Sequence, residues 1–586
     1  MESLSTMKLR FSHHTRPTIS LIGRLVGTIE NKQPSDRLIL RILFFTFIGA
    51  LVSAAIMYST ALSSPTPVSG GTVEEGVIGT PRFVNPALAV TRADLDMTTL
   101  IYSGLMRVNK DGALVPDMAE SVTASDDGKT YNVIIRNNVR FHDGTPLTAR
   151  DVAFTIGLIQ NADLKSPLRG NWADVTVEEI GEYELNIILS QAYTPFIENF
   201  TLGILPKHIW SEVPIEQVPF SAFNTEPIGS GSFIVDTVKK DAAGLISVFE
   251  LKKFTENNPV ILNGITMHFY QNEEALTTAF KNKEITSTSQ LPASEILALK
   301  DTNDYQIITE PLPRVFAIFF NQNRSPALRD TAVRLALTTA IDRQALVDNA
   351  LSGFGVPTTA PVPQNHPAVE STSQIADTST TTPKERAGAI LSRAGWALSN
   401  TGVWEKRIGG EVTPLKLTLK TANTPAFEAS TEEIARAWRD LGVTVQIEEF
   451  EQSDLLQAVI RPRDFESLLF GLDMNRGVDL FPFWHSSQRE DPGLNISQYA
   501  NIEVDRLLER ARVATSTDVQ IANTKSALAI IARETPAAFL YVPELVYVLK
   551  SDIKIPPIIR LSKPQDRFMN ANEWNTATDN VWPIFK

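Results

Sequence analysis

Residues 99–156 read TLIYSGLMRVNKDGALVPDMAESVTASDDGKTYNVIIRNNVRFHDGTPLTARDVAFTI. Asp126-Asp127-Gly128 lies between Ser121–Ala124 and the alternating run Tyr131–Ile135. Acid-Gly between such runs predicts a β-hairpin. Further on, Thr148-Ala149-Arg150-Asp151 has the spacing of a capping box, and the apolar run Val152–Ile159 after it predicts a helix. His142-Asp143-Gly144 is then a turn between a strand and that helix. Residues 72–135 as a whole read as short strands broken by turns.

Outward from this block, Ser325 and Pro326 suit the N-cap and first turn of one long helix, Leu328 to Leu351, stopped by Gly353. Thr382-Pro383-Lys384-Glu385 is a second capping box, and Gly395 ends its helix. Leu415, Leu417 and Leu419 alternate with polar residues and predict a strand. A helix over 428–441 follows, closed by Gly442, and Val443, Val445 and Ile447 predict another strand. Strands and helices interleaved through 313–470 indicate an α/β region. Helices near 502–513 and 518–533 precede a β-rich stretch, Phe539–Leu549. The Ser/Thr-rich run 364–381 reads as a surface loop, and no internal repeat is visible.

The N-terminus is of another kind. Residues 42–62 carry no charge, and as a helix they span roughly 31 Å, one hydrocarbon core. The preceding 41 residues hold seven Lys/Arg and three acids, a net of +4, which leaves −17 of the total −13 to the rest. A basic leader inside and an acidic body outside is the expected topology. Ser59 and Ala61 have cleavage-like spacing, but a 41-residue lead is long for a signal peptide, so an uncleaved anchor is preferred.

Composition removes several classes. The 586 residues include no cysteine, hence no disulfide, thiol nucleophile or thiolate metal site. The acidic balance argues against nucleic-acid binding. No phosphate loop, GxGxxG, HExxH or GxSxG is present, and the seven histidines have no metal-ligand spacing. No catalytic residue, metal or cofactor is expected. The stretch 473–485 (DMNRGVDLFPFWH) sets acids beside aromatics, which suits an amphipathic ligand with a cationic group or a loop that plugs a local core. The Gly229-Ser230-Gly231 segment reads as a loop between strands.

Several motifs then converge on one resemblance. They are a Tyr-x-Gly-Leu helix end at Tyr102 to Leu105, DGALVPDMAES at 111–121, DDGKTY at 126–131 and FHDGTPLTARDV at 141–152. Gly229-Ser-Gly231-Ser-Phe233, Asn321, Arg334-Leu-Ala-Leu337, Ala340-Ile-Asp-Arg343 and Ala394-Gly-Trp396 continue the series, as do Asn495, Tyr499, Asp505 and Leu507-Leu508. From about 72 to 560 the chain resembles family 5 extracellular solute-binding proteins, the oligopeptide- and dipeptide-binding type that serves ABC importers.

The resemblance implies an α/β, periplasmic-binding-protein-like type II fold: three lobes in a two-lobe clamshell with a hinge; the uncharged run 42–62 places one transmembrane helix before it. The expected organisation is a cytoplasmic 1–41, an anchor 42–62 and a linker 63–71. Lobe I follows in three parts, 72–112, 222–312 and 541–586, with lobe II at 113–221 and lobe III at 313–540. The hinge falls near Arg314–Asn321 and Phe539–Tyr547. The implied function is capture of a peptide by hinge closure and delivery to an ABC permease and its ATPase, by a monomer held at the membrane. Oligosaccharide, nickel complex and haem remain alternatives, and an exported hydrolase is a further one. Expected ligand contacts are Gly79, Thr80, Phe83 and Asn85 on one side and Gly471, Leu472, Asp473, Asn475, Asp479 and Trp484 on the other. Asp473, Asn475 and Asp479 compete for the group that meets a peptide amine.

Overall fold

The structure is a computed structural model. It describes residues 33–62, 64–363, 366–369, 381–474, 476, 478–514, 516–576 and 578–581. The chain divides into two units, Met1–Val68 with Thr578–Lys586, and Ser69–Ala577.

In the larger unit the expected hairpin forms. Strands Ala119–Ala124 and Thr130–Ile135 pair antiparallel, with Ala124 opposite Tyr131. Gly128 takes φ +67°, a conformation a Cβ disfavours. The Asp127 carboxylate accepts from the Ser125 hydroxyl and the Lys129 N–H. Tyr131, Val133 and Ile135 alternate inward, and strands Val175–Glu179 and Glu184–Leu189 complete a four-stranded sheet. Helix Ala149–Gln160 adds Val152, Ile156 and Ile159 to the same core as Leu185 and Ile187. Its start is held by Thr148, whose N–H and hydroxyl both donate to the Asp151 carboxylate.

The larger sheet has twelve strands and one long axis. Six strands matter below: β1 (Thr72–Ile78), β2 (Ser287–Thr288), β3 (Tyr305–Pro311), β4 (Arg314–Phe320), β5 (Ser467–Asp473) and β6 (Ala537–Lys550). The first half of β6 pairs with β4, Ala537 opposite Phe319 and Tyr541 opposite Phe316. Its second half pairs with β3, from Glu544 opposite Pro311 to Lys550 opposite Tyr305. β3 and β4 therefore run end to end along β6. β2 joins β6 at Val548 and Leu549 and passes on to β1, while β5 lies beyond β4.

Side chains alternate across β4. Val315, Ala317 and Phe319 enter one core, and Ile318 and Phe320 enter another. Helix Pro425–Leu441 covers the second face through Ile434 and Trp438, and Gly442 ends it at φ +99°. Helices Ile502–Arg512 and Thr517–Glu534 cover the first through Leu508 and Ile531. Strands Lys416–Ala422 and Thr444–Phe450 flank the Pro425–Leu441 helix and pair in parallel, as the interleaved pattern predicts.

Two expectations fail. The single helix over 328–351 is a short 3-10 turn, Ala327–Arg329, and two helices, Thr331–Thr339 and Arg343–Ala350. Asp330 and Asp342 are the reason: each carboxylate accepts a backbone N–H, from Ala332 and Ala345, and starts a new helix. Within 72–135 there is also a helix, α1 (Arg92–Ile101), where the alternation suggested only strands; it ends with Tyr102 as C-cap, where the family motif implies a helix end. Its buried Asp94, Asp96 and Thr98 interrupt the apolar period.

The smaller unit contains a helix, Pro34–Leu62, and a strand pair, Ser64–Pro67 with Thr578–Val581. Several side chains of that helix, among them those of Ala55, Ile56 and 59–62, lie outside the described residues. Among the described residues no helix is long and apolar enough to cross a membrane. The loop expected over 364–381 also lies mostly outside them.

Candidate ligand cleft

β1 and β5 reach the middle of β6 from opposite ends. Asp473 is opposite Arg314, whose strand meets β6 near Pro543. Gly76 is level with Thr288 and so with Val548, which brings the end of β1 near Leu545. Along β6 the two ends are about two residues, roughly 7 Å, apart, and sideways they are four strands, roughly 19 Å, apart. The two sequence stretches expected to hold ligand therefore face the region where β6 passes from one half of the sheet to the other.

On the β1 side, Gly79 has φ +100° and open space where a Cβ would stand. The next turn is tied down by Asp94, a fully buried residue in the first turn of α1. One of its oxygens accepts from the backbone N–H of Arg82 at 2.7 Å and of Phe83 at 2.8 Å. Thr80 and Phe83 are half-buried, with the Arg82 guanidinium 5.8 Å from the Phe83 ring centre. Asn85 is different. It is fully buried, accepts from the Ala87 N–H and donates to Asn224 Oδ1, so it shapes the chain rather than facing a cleft.

On the β5 side, Gly471 lies against Phe316, where an added Cβ would come 3.2 Å from the ring. Leu472 is core. Asp473 is half exposed and paired with Arg314 at 2.6 Å. Asn475 lies outside the described residues. Asp479 accepts from the Phe481 N–H, and its other oxygen lies 3.1 Å from Arg512 Nε in an ion pair poorly aligned for a hydrogen bond. Arg512 in turn sits 4.4 Å from the Phe481 ring centre and 4.7 Å from that of Tyr193. Burial and Asp479 push the Tyr193 phenol up, so it stays neutral. Trp484 belongs to the core alternative for this stretch: it is 0% exposed and packs against Phe319, Tyr499 and Phe539.

A cavity of about 460 Å³ lies elsewhere, lined by none of the described expected contacts. It includes Pro86, next after Asn85, and Arg476, three residues past Asp473. Among the described residues Arg476 is its sole lining residue from 313–540; the others come from 86–107, 117–258 and 562–572. Arg476 Nη2 donates to Asp566 at 2.7 Å and Nε to the Arg560 carbonyl at 2.8 Å. Asp566 also accepts from the N–H groups of Ser562 and Lys563. Asp117 lines the cavity with its carboxylate on Asn258 Nδ2 and 4.0 Å from Arg107; burial raises its pKa. The Tyr102 hydroxyl, buried at the same wall, has no partner among the described residues.

Residues 113–489 match the family of bacterial extracellular solute-binding proteins, family 5, middle region. The chain belongs to this family. It is 28% identical over 493 residues to the oligopeptide-binding protein AppA of Bacillus subtilis (strain 168), covering 83% of this chain and 88% of that one. It is 27% identical over 400 residues to the nickel-binding periplasmic protein of Escherichia coli (strain K12), covering 64% and 70%. The solved structure of AppA from Bacillus subtilis in complex with a nonapeptide superposes with a TM-score of 0.65 at 26% identity, covering 87% of this chain and all of that one. The fold is the α/β type II periplasmic-binding-protein fold. Family 5 members act outside the cytoplasm, and these relatives are named for binding, not for catalysis.

Three polar groups that fix these segments are not among the expected contacts: Asp94, Asp566 and Arg476, the last inside the stretch 473–485. Asp94 had a local signal, the Thr91-x-x-Asp94 capping spacing. Arg476 and Asp566 are ninety residues apart and have none. His142 confirms its reading as a turn residue. Its Nδ1 accepts from the Gly229 N–H and its Nε2 bonds the Gly231 carbonyl, and burial lowers its pKa to about 4. Gly229 itself is required by a close approach, since a Cβ there would lie 2.0 Å from the Ile101 carbonyl oxygen.

Proposed function

We propose that this protein captures short peptides outside the cytoplasm and delivers them to an ABC permease and its ATPase. The observation that carries the reading is β6 with β3–β4: two antiparallel runs cross together from one half of the large sheet to the other. A pair of crossing strands permits the two halves to rotate as bodies about the middle of β6. Lobe I is then 72–112, 222–312 and 541–586, lobe II 113–221 and lobe III 313–540. Gly79, Thr80 and Phe83 line one lip and Gly471 and Asp473 the other. Peptide backbone pairs with such strand ends whatever its sequence, and a hydrated pocket tolerates varied side chains. The likeness to an oligopeptide-binding protein over most of both chains supports the ligand class.

In this reading residues 42–62 hold a monomer at the membrane. Their support is the uncharged run within the helix Pro34–Leu62 and the basic leader before it. The nickel-binding relative supports a second ligand, a nickel complex.

The test is thermal shift of the full chain in detergent, since a ligand that binds only the folded state raises the midpoint. A randomised tripeptide library is expected to raise it. A rise with nickel–histidine and none with any peptide would replace the first reading by the second.

A further inference from the structure

None of the expected ligand contacts falls in 113–221, the proposed lobe II, yet this segment reaches the proposed lobe III. Thr194 Oγ1 donates to the Ala514 carbonyl at 2.9 Å. Beside it, the Arg512 guanidinium lies 4.7 Å from the Tyr193 ring centre and 4.4 Å from that of Phe481. Phe481 stacks in turn on His485, with ring centres 4.0 Å apart and planes at 17°. Arg512 stands in the last turn of the helix Ile502–Arg512, where the helix dipole favours a cation, and Asp479 is its counter-charge at 3.1 Å. Asp479, Phe481, His485 and Arg512 all belong to 313–540; of this group Tyr193 alone comes from lobe II. Burial and the Asp479 carboxylate raise the Tyr193 pKa, so the ring beside the cation is a neutral phenol.

Lobe II is tied to lobe I by separate bonds. His142 bonds Gly229 and Gly231, the Ser166 hydroxyl donates to the Ala87 carbonyl at 2.7 Å, and the Ile204 N–H donates to that of Ser103. Lobes I and II then move as one body against lobe III, so the Tyr193–Arg512 contact crosses the cleft and parts when it opens. An arginine beside an aromatic face gains cation–π attraction, more so when it is partly out of water. Without Tyr193, Arg512 keeps Asp479 and Phe481, so what is lost is the hold on lobe II and not the stack within lobe III. From this geometry we infer that Tyr193 and Arg512 form a latch between lobes II and III that holds the cleft shut over bound peptide. The inference rests on the hinge reading above and gives lobe II a part in it. Both are positioning residues: they raise the closed fraction without touching the ligand, and the apparent affinity follows that fraction.

The chain has no cysteine, so Thr194→Cys with Ala514→Cys sets a single thiol pair across the contact. The experiment uses the full chain in detergent and a randomised tripeptide library. The readout is the library concentration that gives half the maximal thermal shift. Oxidised before the library is added, the pair should raise that concentration at least tenfold, and reductant should restore it. Tyr193→Ala should raise it at least fivefold, and Tyr193→Phe, which keeps the ring, less than twofold. If oxidation excludes peptide but Tyr193→Ala leaves the affinity unaltered, the latch is overturned and the hinge reading stands. If the oxidised pair binds as the reduced one does, lobes II and III do not part, and both fall. A pair whose thiols do not oxidise overturns the contact itself. No shift of the unsubstituted protein with the library overturns the peptide reading and the inference with it.

Discussion

Asp566 and Arg567 are neighbours in the chain and opposite in what they join. Arg567 points inward. Its two Nη groups grip the Asp96 carboxylate and one also reaches Glu75, all three side chains being 1% exposed or less. Tyr547 and Ser287 donate to the other Glu75 oxygen, and Arg92 shares Asp96. One residue thus fastens β1, α1, β2 and β6 to the C-terminal segment. Asp566 faces the other way and meets Arg476, from the loop after β5. Contacts of the first kind stay within one proposed lobe and persist through any closure. Contacts of the second kind cross the hinge from proposed lobe I to lobe III and must break whenever the cleft opens. The difference predicts two classes of mutant: those that cost stability in every state, and those that shift the open–closed balance.

The largest effect belongs to the inward side. Arg567→Met leaves Glu75 and Asp96 buried without their main counter-charge, and removing one member of such a cluster costs about 3–5 kcal/mol. Urea unfolding of the full chain should show this loss with and without peptide. A loss below about 1 kcal/mol would mean that the cluster is dispensable and would break the comparison.

His142 joins proposed lobe II to lobe I on one side of the hinge, tying the turn at 141–144 to Gly229 and Gly231. Burial holds its pKa near 4, against 6.5 for an ordinary histidine. Above pH 6.5 both folded and unfolded forms are neutral. Between 6.5 and 4 only the unfolded chain takes up the proton, so stability falls as pH falls through this window. At pH 4.5 the loss is roughly 2–3 kcal/mol. In His142→Asn that part of the acid dependence should vanish, so the gap between the two proteins narrows from pH 7 to pH 4.5. A gap that stays constant would place the proton elsewhere, His366 being the next candidate, since burial lowers its pKa to about 4 as well.

The same contrast marks what was legible in the sequence. The hairpin at 119–135, the Thr148 and Thr382 boxes and the helix closed by Gly442 are specified by residues within one or two turns of each other. Only the end of helix α1, at Tyr102, was legible; its apolar period was hidden because Asp94 and Asp96 occupy buried positions, and what makes Asp96 tolerable there is Arg567, 471 residues on. In the run 473–485 the charged residues are legible but their partners are not: Arg314 pairs with Asp473, Arg512 with Asp479 and Asp566 with Arg476, and none of the three lies inside the run. Trp484 could be read either way until Phe319 and Phe539 closed around it.

The outward pair should give a smaller and different effect. Asp566→Asn weakens a charge-assisted bond but keeps the acceptor for Ser562 and Lys563, so about 1–2 kcal/mol is expected. It should appear as a shift toward the open form, with a larger radius of gyration in ligand-free solution scattering, rather than as a lower unfolding midpoint. A midpoint that falls with no change in scattering would put Asp566 in the same class as Arg567.

The smallest effect belongs to the β5 lip of the cleft. Arg314 and Asp473 are opposite each other on β4 and β5, with side chains 43% and 57% exposed. Water screens such a pair, and holding two long side chains together costs entropy, so Asp473→Asn should destabilise by no more than about 1 kcal/mol, less in high salt. Its consequence for binding is the sharper measurement. With Asp473 already satisfied by Arg314, neutralising it should change the half-maximal concentration of the free tripeptide library less than threefold. A tenfold loss in Asp473→Asn, relieved by N-acetylation of the library, would show that a peptide amine displaces Arg314 from Asp473. The β5 lip would then carry the ligand's amine.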